Sequence, residues 1–377
     1  MRLPHLPFRM VVRARSSVTA IGALAAALLS LGRPVPALAE SPSQVAASAA
    51  SGVVSIESTF NVQSRIGTDE QVVGTGSGFV LDRSGHLLTS DHLIEDASKI
   101  HVSFADGTKV HATLVSKDPL LDLAVLQVHV PASTLHPLTI GFAESLHLGD
   151  PLVAIGNPFG LDRSVSVGVV SGVHRQITAP NGYTISNAVQ TDAPINHGNS
   201  GGPLLDGNGR VIGINAQLAD SGVDANVGVA FAVAFDQPTR RAIRTLTSGK
   251  AVHHAWLGVS LSDIDAILAT SGRVHATSGV LITGVVARGP AAAAGVRAGS
   301  SIATVDGVQY CLGGDIVTAV AGTKVADAAS LQTAIGHYAP GAAVKLAVVR
   351  AGGKHATLTV KLGTEPTTNA QTTTGCS

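Results

Sequence analysis

From Val53 onward the chain reads as short apolar runs, each closed by Gly, Asp or Asn. This punctuation restricts it to β architectures built from many short strands. Gly78-Phe79-Val80-Leu81, Leu87-Leu88-Thr89, Leu123-Ala124-Val125-Leu126, Leu152-Val153-Ala154-Ile155 and Val211-Ile212-Gly213-Ile214 are such runs. Turn signals return about every 8 to 12 residues, the spacing of antiparallel barrels and sandwiches. The 42 glycines and only 3% aromatic residues fit tight turns rather than a helical bundle. Near Phe235 the pattern changes. Asp236 can cap a short helix with Pro238 in its first turn, Ile243 and Leu246 inward and Gly249 at its close. A smaller unit follows, with strands at Gly279–Ile282, Asp315–Val320 and Val344–Val349 and short helices at Pro290–Ala294 and Asp327–Ile335. The expectation is a mainly β domain over 53–247, a linker over 248–255 and an α+β domain over 256–363. The Ser- and Ala-rich segment 40–52 reads as flexible, and the Thr-rich segment 364–377 as a disordered tail.

A length of 377 residues suits two folded units plus extensions. Hydrophobic residues at 45% and charged residues at 13% allow real cores. The 25 basic and 25 acidic side chains cancel, and no Lys/Arg cluster stands out, which argues against a nucleic-acid partner. At the N-terminus, Arg2, Arg9, Arg13 and Arg15 precede an apolar run, Val18–Leu31, and then Ala37-Leu38-Ala39. That order is a signal peptide over 1–39, cut before Glu40. The apolar run falls short of the roughly 20 residues that span a bilayer, although an uncleaved anchor is the rival reading. Export to a periplasmic, cell-envelope or secreted location follows. Cys311 and Cys376 are too few for a disulfide framework, and the sequence leaves open whether they pair.

Chemistry concentrates in Gly198-Asn199-Ser200-Gly201-Gly202-Pro203. A hydroxyl that attacks a carbonyl needs small neighbours, and backbone N–H groups facing the developing oxyanion. Glycines on both sides of Ser200 give the room. The expected oxyanion set is Gly198, Asn199 and Ser200, whose Gly198 and Ser200 N–H groups converge if the backbone takes a turn that side chains would hinder. The bland alternative is a glycine-rich hairpin with a solvent-facing serine. A serine needs a base, and His92 leaves an apolar strand at a turn in Leu88-Thr89-Ser90-Asp91-His92-Leu93-Ile94. The base needs an orienting carboxylate, and Asp122 lies inside Leu120-Leu121-Asp122-Leu123-Ala124, where a charge is costly without a partner. Asp118, beside Pro119, reads as turn chemistry. Asp91 and Asp96 sit too near His92 in sequence to serve it. No metal or cofactor is expected: there is no His-Glu-x-x-His, no paired Cys spacing and no phosphate loop, and His253-His254 reads as solvated linker.

Together Thr89-Ser90-Asp91-His92, Asp122-Leu123-Ala124-Val125-Leu126, Gly156-Asn157-Pro158-Phe159-Gly160 and Gln190 to Pro203 resemble the HtrA/Deg family of trypsin-like serine proteases. The resemblance implies a trypsin-like double β-barrel with a His92, Asp122 and Ser200 triad between the barrels, followed by a PDZ domain. It places Trp256-Leu257-Gly258-Val259 at the carboxylate-binding loop, where a peptide terminus adds as a strand. It also implies unfolded polypeptides as substrates, peptide C-termini as PDZ partners and a homotrimer. His197 stands where the family has Pro, Pro194 where it has Ala, and residues 295–313 carry an insertion. Asn199 replaces the Asp whose ion pair switches on digestive relatives, which suggests control by loop ordering biased through the PDZ domain. Ala193 to Gly198 holds no acidic residue. Pro194, Ile195, Ile214, Phe231 and Ala232 suggest a small apolar specificity pocket and cleavage after Val, Ala or Ile. A proteolytically silent PDZ-bearing chaperone is the alternative.

Overall fold

Alternation of apolar side chains along the strands builds two sheets that share a core. The computed structural model describes residues 40–63, 69–157, 164–196, 198–216, 228–366 and 373–376. The expected signal peptide, 1–39, and His197 lie outside these. The first sheet takes β1 (Val53–Gln63), β2 (Asp69–Val80), β3 (His86–Thr89), β4 (Lys99–Ser103), β5 (Lys109–His111), β6 (Thr113–Asp118) and β7 (Leu123–Gln127) in the order β5-β4-β1-β2-β3-β7-β6. The second takes β8 (Pro151–Gly156), β9 (Ser164–Thr178), β10 (Thr184–Thr191), β11 (Pro203–Asp206), β12 (Val211–Ala216) and β13 (Ala230–Ala234). These close into a barrel ordered β10-β13-β12-β11-β8-β9.

Along β7, Ala124 and Leu126 join Val54, Leu87 and Val102 in the first sheet's own core. Leu123 and Val125 instead join Val153, Ile155, Val211 and Val233 of the barrel in a core common to both. Leu152, Ala154, Leu204 and Ala232 pack in a further core of barrel residues alone. Strands buried on both faces read as unbroken apolar runs, which is the pattern of β7 and β8.

The segment 40–52, expected to be flexible, takes helical structure instead. It forms α1 (Pro42–Ala49), where the Ser41 hydroxyl accepts the Gln44 N–H and the Gln44 side chain accepts the Ser41 N–H. Ser41-Pro42-Ser43-Gln44 is a capping box with Pro at the first turn. An eight-residue helix has little stability alone. Val45 and Ala49 hold it by packing into the core common to both sheets.

After α2 (Gln237–Thr247) the chain enters a second sheet system. β14 (Ala255–Trp256) pairs with β23 (Gly363–Thr364), and the main path runs β15 (Val259–Asp263), β16 (Val280–Val286), β19 (Ile316–Val320), β21 (Ala343–Val349) and β22 (His355–Lys361). β20 (Thr323–Lys324) pairs with β19. The insertion at 295–313 contains a hairpin, β17 (Ser301–Val305) and β18 (Val308–Leu312). Short helices α3 (Ala266–Thr270) and α4 (Pro290–Ala293) complete the cover with α5 (Ala328–Gly336), whose Leu331 and Ile335 are buried.

Two further expectations are corrected here. Of the expected disordered tail, residues 373–376 are ordered by pairing: β24 (Thr373–Gly375) pairs with Gly284–Val286 of β16, and Cys376 forms a disulfide with Cys311, Cα–Cα 5.8 Å. His254 is not a free linker side chain, because its Nε2 lies 2.7 Å from the buried Asp118 carboxylate. Among the described residues no helix is long and apolar enough to cross a membrane.

The disulfide spans 65 residues, and a loop of that size constrains the unfolded chain by up to about 4 kcal/mol. Replacing Cys376 by Ser is expected to lower the unfolding midpoint and to release the amides of residues 373–376 to rapid hydrogen exchange. Calorimetry and exchange mass spectrometry, with and without reductant, measure both effects.

Candidate active site

β3 ends in a single turn, Asp91–Leu93, that carries His92. Asp122 sits just before β7 with φ of +52°, a left-handed conformation that Asp adopts more readily than most residues. It is fully buried, and both carboxylate oxygens meet the same residue. Oδ1 accepts the His92 backbone N–H at 2.9 Å, and Oδ2 lies 2.7 Å from His92 Nδ1. The Asp91 N–H donates to the Asp122 carbonyl at 3.2 Å, tying the two turns together. With Nδ1–H donating to the carboxylate, Nε2 is left as the ring's acceptor.

Ser200 comes from the barrel, in the loop between β10 and β11. Ser77 of β2 binds that loop to the first sheet. Its N–H donates to the Ser200 carbonyl at 2.9 Å, and its hydroxyl donates to the Gly198 carbonyl at 2.5 Å. The same hydroxyl accepts the Asn157 N–H at 2.7 Å, while the Ser77 carbonyl accepts Thr89 Oγ1–H at 2.8 Å. A Cβ at Gly201 would run into the Ser77 carbonyl, Thr89 Oγ1 and the Leu93 side chain. Glycine, here at φ +81°, lets the Ser200 loop settle against the turn that holds His92. Ser200 is 1% exposed. Neither its Oγ nor His92 Nε2 has a hydrogen-bond partner among the described residues.

Gly198 has φ +99°. Among the described residues, neither the Gly198 nor the Ser200 N–H enters a backbone hydrogen bond. The Asn199 N–H, in contrast, donates to Asn196 at 3.0 Å. Asn199 therefore leaves the expected oxyanion set, because the turn uses its donor internally. Asn215, fully buried in β12, braces the loop: its N–H donates to Gly202 and its carbonyl accepts the Gly201 N–H. Sequence reasoning missed Ser77 and Asn215. The signal for Ser77 was Gly74-Thr75-Gly76-Ser77-Gly78, since glycines inside a strand mark close backbone approach. At Gly76 a Cβ would meet Leu93.

Asp91 is a further buried carboxylate beside this pair. Lys117 Nζ lies 3.2 Å from its Oδ1, and 3.2 Å from Glu95 Oε1. Burial pushes the Asp91 carboxyl up to about 6, against the pull of Lys117.

The five expected pocket residues are divided between two cores and the surface. Ile214 is fully buried in the core common to both sheets, and Phe231 packs against that same core. Ala232 belongs to the barrel-only core, with Ile195 packed against it, and Pro194 is exposed. Neighbours along a strand point to opposite faces, so Phe231 and Ala232 cannot line one wall.

In the second domain, Trp256 sits in β14, Leu257 is buried, and Gly258 has φ +75°. The carbonyls of Leu257 and Gly258 accept the N–H groups of Ala291 and Val286. With Val259, these residues border a cavity of about 370 Å³ whose other walls include Leu261 of β15 and Leu331 and Ile335 of α5. Leu121 and Tyr183 of the first domain also line it. β15 is the terminal strand of its path. Arg241 of α2 donates to the Gly336 carbonyl at 3.0 Å, placing a cation at the C-terminal end of α5. Among the described residues no group of three or more His, Cys, Asp or Glu is placed to hold a metal ion.

The trypsin-like peptidase domain family matches residues 76–214, and the PDZ domain family matches 255–362. A Chlamydia trachomatis protein described as a DegP-like periplasmic serine endoprotease is 39% identical over 277 residues, 74% of this chain and 52% of that protein. The chloroplastic Protease Do-like 1 of Arabidopsis thaliana is 38% identical over 74% of this chain and 62% of its own. The chain thus spans little more than half the length of such relatives. The Synechocystis protein HhoA is 35% identical, covering 78% of this chain and 71% of that protein. Among solved structures, the HtrA-type protease AlgW with decapeptide has a TM-score of 0.67 at 28% identity, covering 87% of this chain and 100% of that one. The same protease with tripeptide has a TM-score of 0.66 at 30% identity. The chain belongs to the HtrA/Deg family, with a trypsin-like peptidase domain followed by a PDZ domain.

Proposed function

We propose that the chain is an exported serine endopeptidase that degrades unfolded or damaged polypeptides through an acyl-enzyme. The observation that carries this reading is the buried His92–Asp122 hydrogen bond, beside which Ser77 seats the Ser200 loop. Ser200 Oγ attacks the scissile carbonyl carbon as His92 Nε2 takes its proton. Asp122 holds the Nδ1–H tautomer and stabilises the imidazolium without itself taking the proton. The Gly198 and Ser200 N–H groups receive the oxyanion. His92 then protonates the leaving amine, and a water activated by the same nitrogen hydrolyses the ester. The PDZ domain accepts a peptide terminus as a strand beside β15, with Trp256-Leu257-Gly258-Val259 at its carboxylate, and so regulates the peptidase. The domain limits 53–247 and 256–363 are part of this reading.

Replacing Ser200 by Ala is expected to lower turnover of a reduced, alkylated unfolded protein by on the order of a millionfold. Binding of that protein, followed by pull-down, should persist. Equal turnover by the variant would refute the triad. Mapping the fragments by mass spectrometry should show few cuts after Arg or Lys, since no carboxylate from Ala193 to Gly198 is present to pair with them. Dominant cutting after Arg would exclude that specificity.

The raised Asp91 carboxyl has a signed effect on stability. Between its ordinary value, 3.8, and about 6, the folded protein keeps a proton that the unfolded chain has released. This group therefore lowers stability as pH rises through that window. For Asp91→Asn, thermal melts should show a midpoint that gains on the parent between about pH 4 and about pH 7.

A further inference from the structure

The turn that carries Asp122 is held from outside the peptidase core. The Leu121 N–H donates to the Asp118 carbonyl at 3.2 Å, and the Asp122 N–H donates to the Pro119 carbonyl at 3.3 Å. Asp118, at the end of β6, is 3% exposed, and its Oδ2 meets His254 Nε2 at 2.7 Å. Pro119 is held as well, because its carbonyl accepts Asn181 Nδ2–H at 2.9 Å. His254 belongs to the segment entering the PDZ domain. Its carbonyl accepts the Glu365 N–H at 2.9 Å, and the ladder β14–β23 begins at the next residue. One imidazole thus joins the first PDZ strand to the turn four residues before the carboxylate that orients His92.

We propose that His254 is a positioning residue for the peptidase: its hydrogen bond to Asp118 locks the 118–122 turn and so sets the Asp122–His92 geometry. The inference rests on the triad reading above. His254 reaches the site through Asp118 and touches no reacting atom.

The charges around His254 decide when the lock is strongest. They are Asp118 of β6, Glu365 after β23 and Arg241 of α2. Burial works against the imidazolium, and Arg241 opposes it further, but the Asp118 hydrogen bond and the charges of Asp118 and Glu365 outweigh both. The pKa therefore stands above the ordinary imidazole value. Burial and Asp118 raise the Glu365 carboxyl, while His254 lowers it. The charged lock is complete below the ordinary imidazole pKa and weakens as pH rises through the raised one. Above it a neutral hydrogen bond remains.

The test compares the parent chain with His254→Ala, His254→Gln and Asp118→Asn. Thermal melts and circular dichroism show which variants are folded. Two readouts follow: the rate at which a fluorophosphonate phosphonylates Ser200 with loss of fluoride, across about pH 6 to about pH 9, and the low-field NMR resonance of His92 Nδ1–H. Both His254→Ala and Asp118→Asn are expected to slow phosphonylation about tenfold in the folded protein, the loss of one charge-assisted hydrogen bond. The His92 resonance should shift or broaden in each. His254→Gln, which keeps a donor, should restore the rate but lose the parent's fall at high pH. An unchanged rate, profile and His92 resonance in folded His254→Ala would overturn the proposal. If His254→Ala does not fold, His254→Gln decides: a parent-like alkaline limb in that variant overturns it equally. A parent chain whose Ser200 never reacts would instead overturn the triad reading, and the NMR comparison would still judge the lock.

Discussion

The core common to the two sheets holds together everything described at the site. His92 and Asp122 stand on the first sheet, and Ser200 stands on a loop of the barrel. The first sheet and the barrel are joined by Phe79, Leu88, Leu123 and Val125 packing with Val153, Ile155 and Ile214. Each such side chain contributes about 1.5–3 kcal/mol when fully buried, so the layer resists sliding. Ser77 then adds direction to what packing makes stable. Its hydrogen bonds to the Ser200 and Gly198 carbonyls set the loop's orientation, which apolar contact alone would leave unspecified.

Sparse charge is placed with economy in the same framework. Of the six buried carboxylates among the described residues, five face a basic side chain: Asp122 with His92, Asp118 with His254, Asp91 with Lys117, Asp206 with Arg210, and Asp315 with Arg350. The sixth, Asp236, accepts the Thr239 N–H as the cap of α2 and an Asn187 side-chain N–H. A buried carboxylate with neither kind of partner would be strongly destabilising. The first two pairs lie on adjoining turns, so the linker's histidine and the site's histidine are connected by a few residues of backbone. The cavity bordered by Trp256, Leu121 and Tyr183 lies between the same two domains. The PDZ domain is accordingly packed onto the peptidase by specific polar contacts, including Arg241 at the end of α5, rather than merely tethered to it.

Where sequence reading failed, the missing term was a distant partner. Ser41–Gly52 looked unstructured because Ser and Ala fix little by themselves, yet Val45 and Ala49 find the core common to both sheets. The Thr-rich tail looked disordered, yet the edge of β16 and Cys311 capture it. Ile214 and Phe231 looked like pocket residues until the sheet turned them towards the opposite face from Ala232. Asn199 was grouped with its neighbours in the oxyanion set until the turn engaged its N–H with Asn196.

The strands, their turns and the pairing of His92 with Asp122 were legible in the sequence. Those features depend on residue type and on spacings of a few positions, which the chain carries locally. The meeting of the two sheets, the Ser77 clamp, the Asn215 brace and the His254–Asp118 bond were decided only by tertiary structure. Each joins residues from about a dozen to more than a hundred positions apart, and no local preference encodes which distant partner a buried polar group will meet. That choice follows from the packing of the cores.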